Sequence, residues 1–305
     1  MRRLILIVLT FSFFSGIFAE STIRNYVYVK RDTCDLTMDV YTPAHVQPNT
    51  PCLIFVFGGG FKMGSKSTIY NVPYLKAMAD SGYVVASIDY RLGMKGVKLK
   101  GTKRLQTIRN AINMAVEDLF SATGFLLKHA AELNIDTSKI ILSGSSAGAV
   151  TVLQADYELA NRTQIASEIP AGFHYAGIIS FAGGILSFNG FPKYKNSPAP
   201  TMFFHGTDDK LVQYDKLEAF NIGFFGTNAL VKQFEKLNYP YFAYRYRDMG
   251  HEIAGVPMKY NLSDICAFIR EYIIQKKKLK KDMLVKNPDL KPAFYGKWKT
   301  KDLYK

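Results

Sequence analysis

Short apolar runs alternating with stretches of helical periodicity predict an α/β fold, a mostly parallel central sheet with helices on both faces. Three observations carry this expectation. The central runs, among them residues 53–57 and 140–142, are apolar at every position, which suits strands covered on both faces. Between them lies a long helical stripe made by Ile108, Ala111, Ile112, Ala115, Leu119, Ala122 and Leu126. With 305 residues, 48% hydrophobic and 21% charged, the chain is large enough for one sizeable core.

Taken in order, the chain opens on Met1, Arg2 and Arg3, then an apolar run to Phe18 that ends at Ala19 and Glu20. These are the charged, apolar and small-residue parts of a secretory signal, expected to be cut after Ala19 and to send the protein to the periplasm or the medium. The run, about fifteen residues, is short for a spanning helix, and no later stretch is long and apolar enough for stable membrane insertion. Residues 20–275 are expected to form the folded domain and 276–305 a basic C-terminal tail. Strands are expected at 53–57, 83–90, 140–142, 176–181, 201–204 and 241–246. The last helix buries Ile265, Phe268, Ile269, Tyr272 and Ile273, with Ser263 and Asp264 near its cap. Irregular stretches after Phe61 and Arg91, and over 161–175 and 188–200, follow strand ends and are expected to wall a pocket.

The net charge is +14, and +12 without Arg2 and Arg3. Lysines cluster at 276–281, and Lys95, Lys98, Lys100, Lys103 and Arg104 crowd one loop. A solvated helix end and a solvated loop account for both clusters, and no nucleic-acid fold motif accompanies them, so no nucleic-acid partner is expected. Cys34, Cys52 and Cys266 are odd in number and allow at most one bridge; they are read as small buried hydrophobes, although Cys34 and Cys52 share one β region. The histidines at 45, 129, 174, 205 and 251 lie too far apart for a local metal motif, and no metal or cofactor is called for.

Candidate chemistry centres on Gly144-Ser145-Ser146-Ala147-Gly148, a G-x-S-x-G elbow lying between an apolar strand and a run of helix formers. Glycines two residues either side of the serine avoid collision with neighbouring backbone in such a turn. A nucleophilic serine needs oxyanion donors, a base and an orienting acid. Gly58, Gly59 and Gly60 directly end a strand and offer backbone N–H donors. His251 follows the last expected strand and comes after serine and acid in the chain order of this arrangement. His205 ends a strand and is read as packing locally. Asp208 and Asp209 compete for the acid, and spacing leaves both open, though a turn commonly engages its first aspartate and frees the second.

These motifs, in this order, resemble the α/β-hydrolases of the carboxylesterase and hormone-sensitive-lipase-like group, and are similar to bacterial acetyl-xylan and feruloyl esterases. The resemblance rests on Leu36-Thr37-Met38-Asp39-Val40-Tyr41-Thr42-Pro43, on Gly58-Gly59-Gly60-Phe61, on Ala86-Ser87-Ile88-Asp89-Tyr90-Arg91-Leu92, on residues 134–140, on the elbow and on His205-Gly206-Thr207-Asp208-Asp209. It implies an α/β-hydrolase catalytic domain over 20–275, with Ser146, Asp209 and His251 as a triad and the amides of Gly59, Gly60 and Ala147 as the oxyanion hole. It further implies a serine esterase that removes acetyl, other short acyl or feruloyl groups from small esters or acylated polysaccharide. A serine peptidase of related fold and a silent binding protein on the same scaffold are the alternatives. One departure is visible: Phe57 stands where the group usually has a histidine, which puts the side-chain bonding that shapes the oxyanion loop in question. Asp89, Tyr90 and Arg91 are read as structural, with their charges paired beneath the pocket.

Overall fold

The computed structural model describes residues 21–98, 104–293 and 299; the expected signal at 1–19, together with Lys100 and Lys103, lies outside the described residues. The described chain begins with β1 (Thr22–Arg31), β2 (Cys34–Thr42) and β3 (Thr50–Val56). Helices and strands then alternate through α1 (Val72–Asp80), β4 (Val84–Ile88), α2 (Arg104–Lys128), β5 (Ile135–Ser145), α3 (Ala147–Asn161) and β6 (Gly177–Phe181). Next come β7 (Gly184–Ser187), β8 (Thr201–Gly206), β9 (Lys216–Ala219), β10 (Ile222–Gly226) and α4 (Thr227–Lys236). The end of the chain supplies β11 (Tyr241–Tyr246), α5 (Val256–Tyr260), α6 (Leu262–Phe268) and β12 (Lys280–Val285).

Among the described residues nine strands form one sheet in the order β1-β2-β4-β3-β5-β6-β8-β11-β12. The β1–β2 and β2–β4 pairs are antiparallel, and every later pair is parallel. Every residue of β4, β6 and β8 is buried, as continuous apolar sequence requires of strands covered on both faces. On α2, Ala111, Ile112, Ala115, Leu119, Ala122 and Leu126 are buried as the stripe predicts, while Ile108 is half-buried beside a cavity. Across the middle of the sheet, Phe181, Phe204 and Tyr244 occupy paired positions on β6, β8 and β11, and their rings stack 5.2 Å apart at each step. Each such pair contributes about 0.5–1.5 kcal/mol beyond its buried area and helps fix the register of the strands whose ends carry the site.

Four features differ from the sequence reading. First, the sheet continues beyond residue 275: β12 pairs in parallel with β11, so the boundary set there cuts off an edge strand. The lysine-rich composition is compatible with a strand because the charges find partners at the edge. Lys280 meets Glu235 at 3.0 Å, Lys281 meets Glu271 at 2.7 Å, and Asp282 accepts from Arg245 Nε and Nη2. Second, Asn261 rather than Ser263 or Asp264 takes the cap position of α6, and its side chain donates to Asp264. Third, Cys34 is exposed rather than buried, and all three thiols are free. Fourth, β7, β10 and β9 form a separate antiparallel sheet over residues that sequence periodicity left unassigned.

Candidate active site

The residues of interest gather where the parallel strands end at their carboxyl side, where an open α/β sheet leaves its crevice. Ser146 follows β5, Gly58–Gly60 follow β3, Asp209 follows β8 and His251 follows β11.

Ser146 has φ 52° and ψ −115°, a conformation that costs a non-glycine residue about 1–3 kcal/mol. The surroundings hold it there. A Cβ on Gly144 would lie 2.3 Å from the Gly148 carbonyl oxygen, and one on Gly148 would lie 2.0 Å from that of Val56, so both glycines are required by close backbone approach. The Ser146 N–H donates to the Phe181 carbonyl at 2.9 Å. The neighbouring Ser145 hydroxyl donates to the carbonyl of Ala254 at 2.8 Å, tying the elbow to the short turn that carries His251. That tie spans 109 residues of sequence, and no local pattern announces it.

From the serine a hydrogen-bonded chain runs inward. Ser146 Oγ lies 2.8 Å from His251 Nε2, and His251 Nδ1 donates to Asp209 Oδ2 at 2.8 Å. In this tautomer Nε2 is free to accept the serine proton, and the carboxylate beyond Nδ1 stabilises the imidazolium that results. Asp209 and His251 are buried, whereas Asp208 is exposed. Asp209 is thus the acid in the chain, and the turn argument fails in detail. Asp209 itself makes the turn, its Oδ1 accepting from the N–H groups of Leu211 and Val212, and its other oxygen still reaches the imidazole. Burial pushes the Asp209 carboxyl up, but the charge of His251 and the N–H groups of His205 and His251 outweigh it and hold it well below the usual carboxylate range.

His205 is not in line with the serine. It is fully buried, with Nε2 3.0 Å from the Val212 carbonyl oxygen and 3.3 Å from Asp209 Oδ2, and Nδ1 2.8 Å from the Thr227 hydroxyl. It packs locally, as the sequence suggested, and also braces the acid.

The glycine loop meets the elbow from the other side. Ala147 is the first residue of α3, so its N–H belongs to the unpaired donors of a helix start, and it lines a cavity together with Gly60 and Ser146. Gly59, at φ 124°, turns the loop, with the N–H groups of Lys62 and Met63 both directed at its carbonyl. Phe57 shapes the loop without a histidine: its ring stacks on Tyr90 at 4.5 Å, and the Tyr90 hydroxyl donates to its carbonyl. Beneath the loop, Asp89 accepts from the Lys66 N–H and pairs with its ammonium at 3.1 Å, while Arg91 pairs with Asp118 and Glu117. The reading of 89–91 as structural agrees with these contacts.

The cavity beside Ser146 has a volume of about 320 Å³. Its walls are apolar, with Ile108 and Ile112 from α2, Val150 from α3, and Leu186, Leu217 and Phe224 from the small sheet. The small-sheet walls escaped the sequence reading because their strands are four or five residues long, too short for periodicity to mark, and β7 finds its partner β10 far along the chain. Among the described residues no three His, Cys, Asp or Glu side chains converge as metal ligands, and no helix is long and apolar enough to cross a membrane.

Fold and site together define an α/β-hydrolase-fold protein with a serine, a histidine and an aspartate linked at the ends of its parallel strands. Comparison with known proteins agrees. Residues 38–183, just under half of the chain, match the BD-FAE family model. Gut esterase 1 of Caenorhabditis elegans is 31% identical over 119 residues, which cover 39% of this chain and 20% of that protein. The bifunctional acetylxylan esterase/xylanase XynS20E of Neocallimastix patriciarum is 26% identical over 194 residues, 63% of this chain and 24% of that protein. The match to each of these relatives therefore spans a quarter of its length or less. Among solved structures, the propionate-bound esterase Est2 of Thermogutta terrifontis superposes with a TM-score of 0.62 at 23% identity, covering 84% of this chain and 96% of that one. The resemblance to α/β-hydrolase esterases read from the sequence holds.

Proposed function

We propose that the chain is a serine carboxylic-ester hydrolase. The observation that carries the reading is the unbroken pair of 2.8 Å contacts from Ser146 Oγ through His251 to Asp209, at the mouth of an apolar cavity. His251 takes the Ser146 proton as the oxygen attacks the ester carbonyl. The amides of Gly59, Gly60 and Ala147 hold the oxyanion, and His251 then returns the proton to the departing alcohol. Water, activated by the same histidine, frees the acid from the acyl-enzyme. Asp209 keeps Nδ1 protonated throughout and stabilises the cation.

The apolar walls support an acyl group larger than acetyl, from a short alkyl chain to an aryl group of feruloyl type. The acetylxylan esterase among the relatives supports an acylated polysaccharide as one source of such esters. Export to the periplasm or the medium is proposed from the sequence pattern of residues 1–19.

The test is hydrolysis of nitrophenyl acetate, butyrate and octanoate, methyl ferulate and acetylated xylan by wild type and by Ser146→Ala. Turnover is expected to fall by about a millionfold in the variant, with the wild type favouring butyrate or larger over acetate. Undiminished hydrolysis by folded Ser146→Ala would remove the serine from the reaction. Cleavage of peptidyl anilides in preference to esters would turn the assignment to a peptidase.

A further inference from the structure

The apolar cavity beside Ser146 has an open end and a closed one. On one wall, α2 presents Leu105, Ile108 and Ile112, spaced as one face of a helix. Leu105 is 45% exposed, Ile108 is half-buried and Ile112 is 3% exposed, so this wall runs from solvent into the core. On another wall, the small sheet sets Leu217, Phe224 and Leu186 opposite one another on β9, β10 and β7, which puts their side chains on one face. Leu217 is 67% exposed on the outer strand, whereas Phe224 and Leu186 are half-buried. The helix from Leu105 to Ile112 and the two strand spacings from Leu217 to Leu186 each measure about 10 Å, so the walls match in length.

At their inner ends the surroundings change. A separate cavity of about 280 Å³ lies beyond, and among the described residues only Ile112 and Leu186 line both. Behind them stand Asn113, Gln154 and Glu158, the last accepting from Gln154 Nε2 at 2.7 Å. An alkyl chain has no gain from displacing such polar groups. The third wall gives the depth. Val150, one turn of α3 beyond the serine, lines the apolar cavity, and Gln154, one turn further, lines the polar one. The boundary therefore lies between about 6 and 12 Å from Ser146 along the helix axis.

We propose that Ile112 and Leu186 form the partition that closes the apolar cavity, and that they set the longest unbranched chain the site accepts. This rests on the esterase reading of Ser146. With carbon–carbon bonds of about 1.5 Å, an extended chain advances about 1.3 Å per carbon, so the depth suits about five to nine carbons. The substrate class is accordingly an ester with one medium-length aliphatic chain, carried on the acyl or on the alcohol side.

The test is kcat/KM for nitrophenyl esters from butyrate to tetradecanoate and for alkyl acetates over the same lengths. In wild type one series should pass through a maximum at hexanoate or octanoate length and fall about tenfold by dodecanoate length, and the series that does so assigns the cavity to the acyl group or to the alcohol. Leu186→Ala should move the maximum up by about two carbons and raise the dodecanoate-to-octanoate ratio about tenfold, and Leu186→Phe should lower the octanoate-to-butyrate ratio. The same cut at the open end, Leu217→Ala, should leave the maximum where it is. Labelling by a fluorophosphonate counts the folded sites in each variant, and Leu186→Phe gives an independent reading should Leu186→Ala fold poorly. No fall with length in either series, a maximum that ignores Leu186, or one that moves as far with Leu217→Ala overturns the partition and leaves the esterase reading standing. Turnover of none of the esters by wild type, together with no labelling of Ser146, overturns both.

Discussion

The Asp209 carboxylate meets four donors: the N–H groups of Leu211 and Val212 on one oxygen, and the imidazoles of His251 and His205 on the other. Three of these lie within four residues of Asp209 in the chain, and only His251 is brought near by the fold. With its carboxyl held well below the usual range, the group stays ionised wherever the protein is folded near neutrality, and His251 keeps one tautomer. Asp209→Asn should therefore lower kcat by about 10⁴-fold, because an amide can present its NH₂ to Nδ1 and reverse the tautomer. Asp208 points to solvent, and Asp208→Asn should change kcat by less than about twofold, as exposed substitutions away from a site generally do. Steady-state kinetics on the two variants checks both values, and a larger loss at Asp208 would contradict the assignment. Spacing confined the acid to two neighbours and the resemblance pointed to Asp209; in the structure burial and the contact with His251 set the two apart.

At the scale of elements, α3 carries both the nucleophile at its start and a titrating group near its end. Asp156 is buried on this helix, and burial raises its carboxyl to about 7 against the lowering effect of the Ala199 N–H. Between about pH 4 and that value the folded chain holds a proton the unfolded chain has released, so this group's contribution to stability is full in acid and is lost as pH rises across the window. Asp156→Asn keeps an acceptor for the Ala199 N–H and removes the titration. Relative to wild type it should gain about 3 kcal/mol of stability from pH 5 to pH 8, since about two pH units of the shift fall in that range. Urea unfolding at the two pH values measures the difference, and a gap that does not grow with pH would show that Asp156 does not titrate as described. The helix itself was legible from its composition and from the glycines before it. The small sheet of β7, β10 and β9 was not, because strands of four or five residues carry too little periodicity to mark them, and β7 meets its partner β10 more than 30 residues away.

For the molecule as a whole, the lysine-rich segment after residue 275 closes one edge of the sheet. Truncation before Lys276 would leave β11 paired only with β8 and make its other side, from Tyr241 to Tyr246, a bare sheet edge. The shortened protein should melt several degrees lower and aggregate on concentration, read by thermal unfolding and light scattering. A monomer with unchanged Tm would show that β12 is dispensable. Composition alone made this stretch a solvated tail, since a run of lysines reads the same whether it is free or pairs with Glu235 and Glu271 along a sheet edge.

The sequence by itself determined the parallel core, the elbow, the glycine loop and the order of serine, acid and histidine, because each is written in a few consecutive residues under local steric rules. Only the tertiary structure decided how the acid is buried against the histidine, how Tyr90 packs on Phe57 in shaping the loop, and which side chains wall the apolar cavity. These depend on side chains brought together across tens of residues, where burial and hydrogen-bond pairing, rather than local pattern, select the outcome.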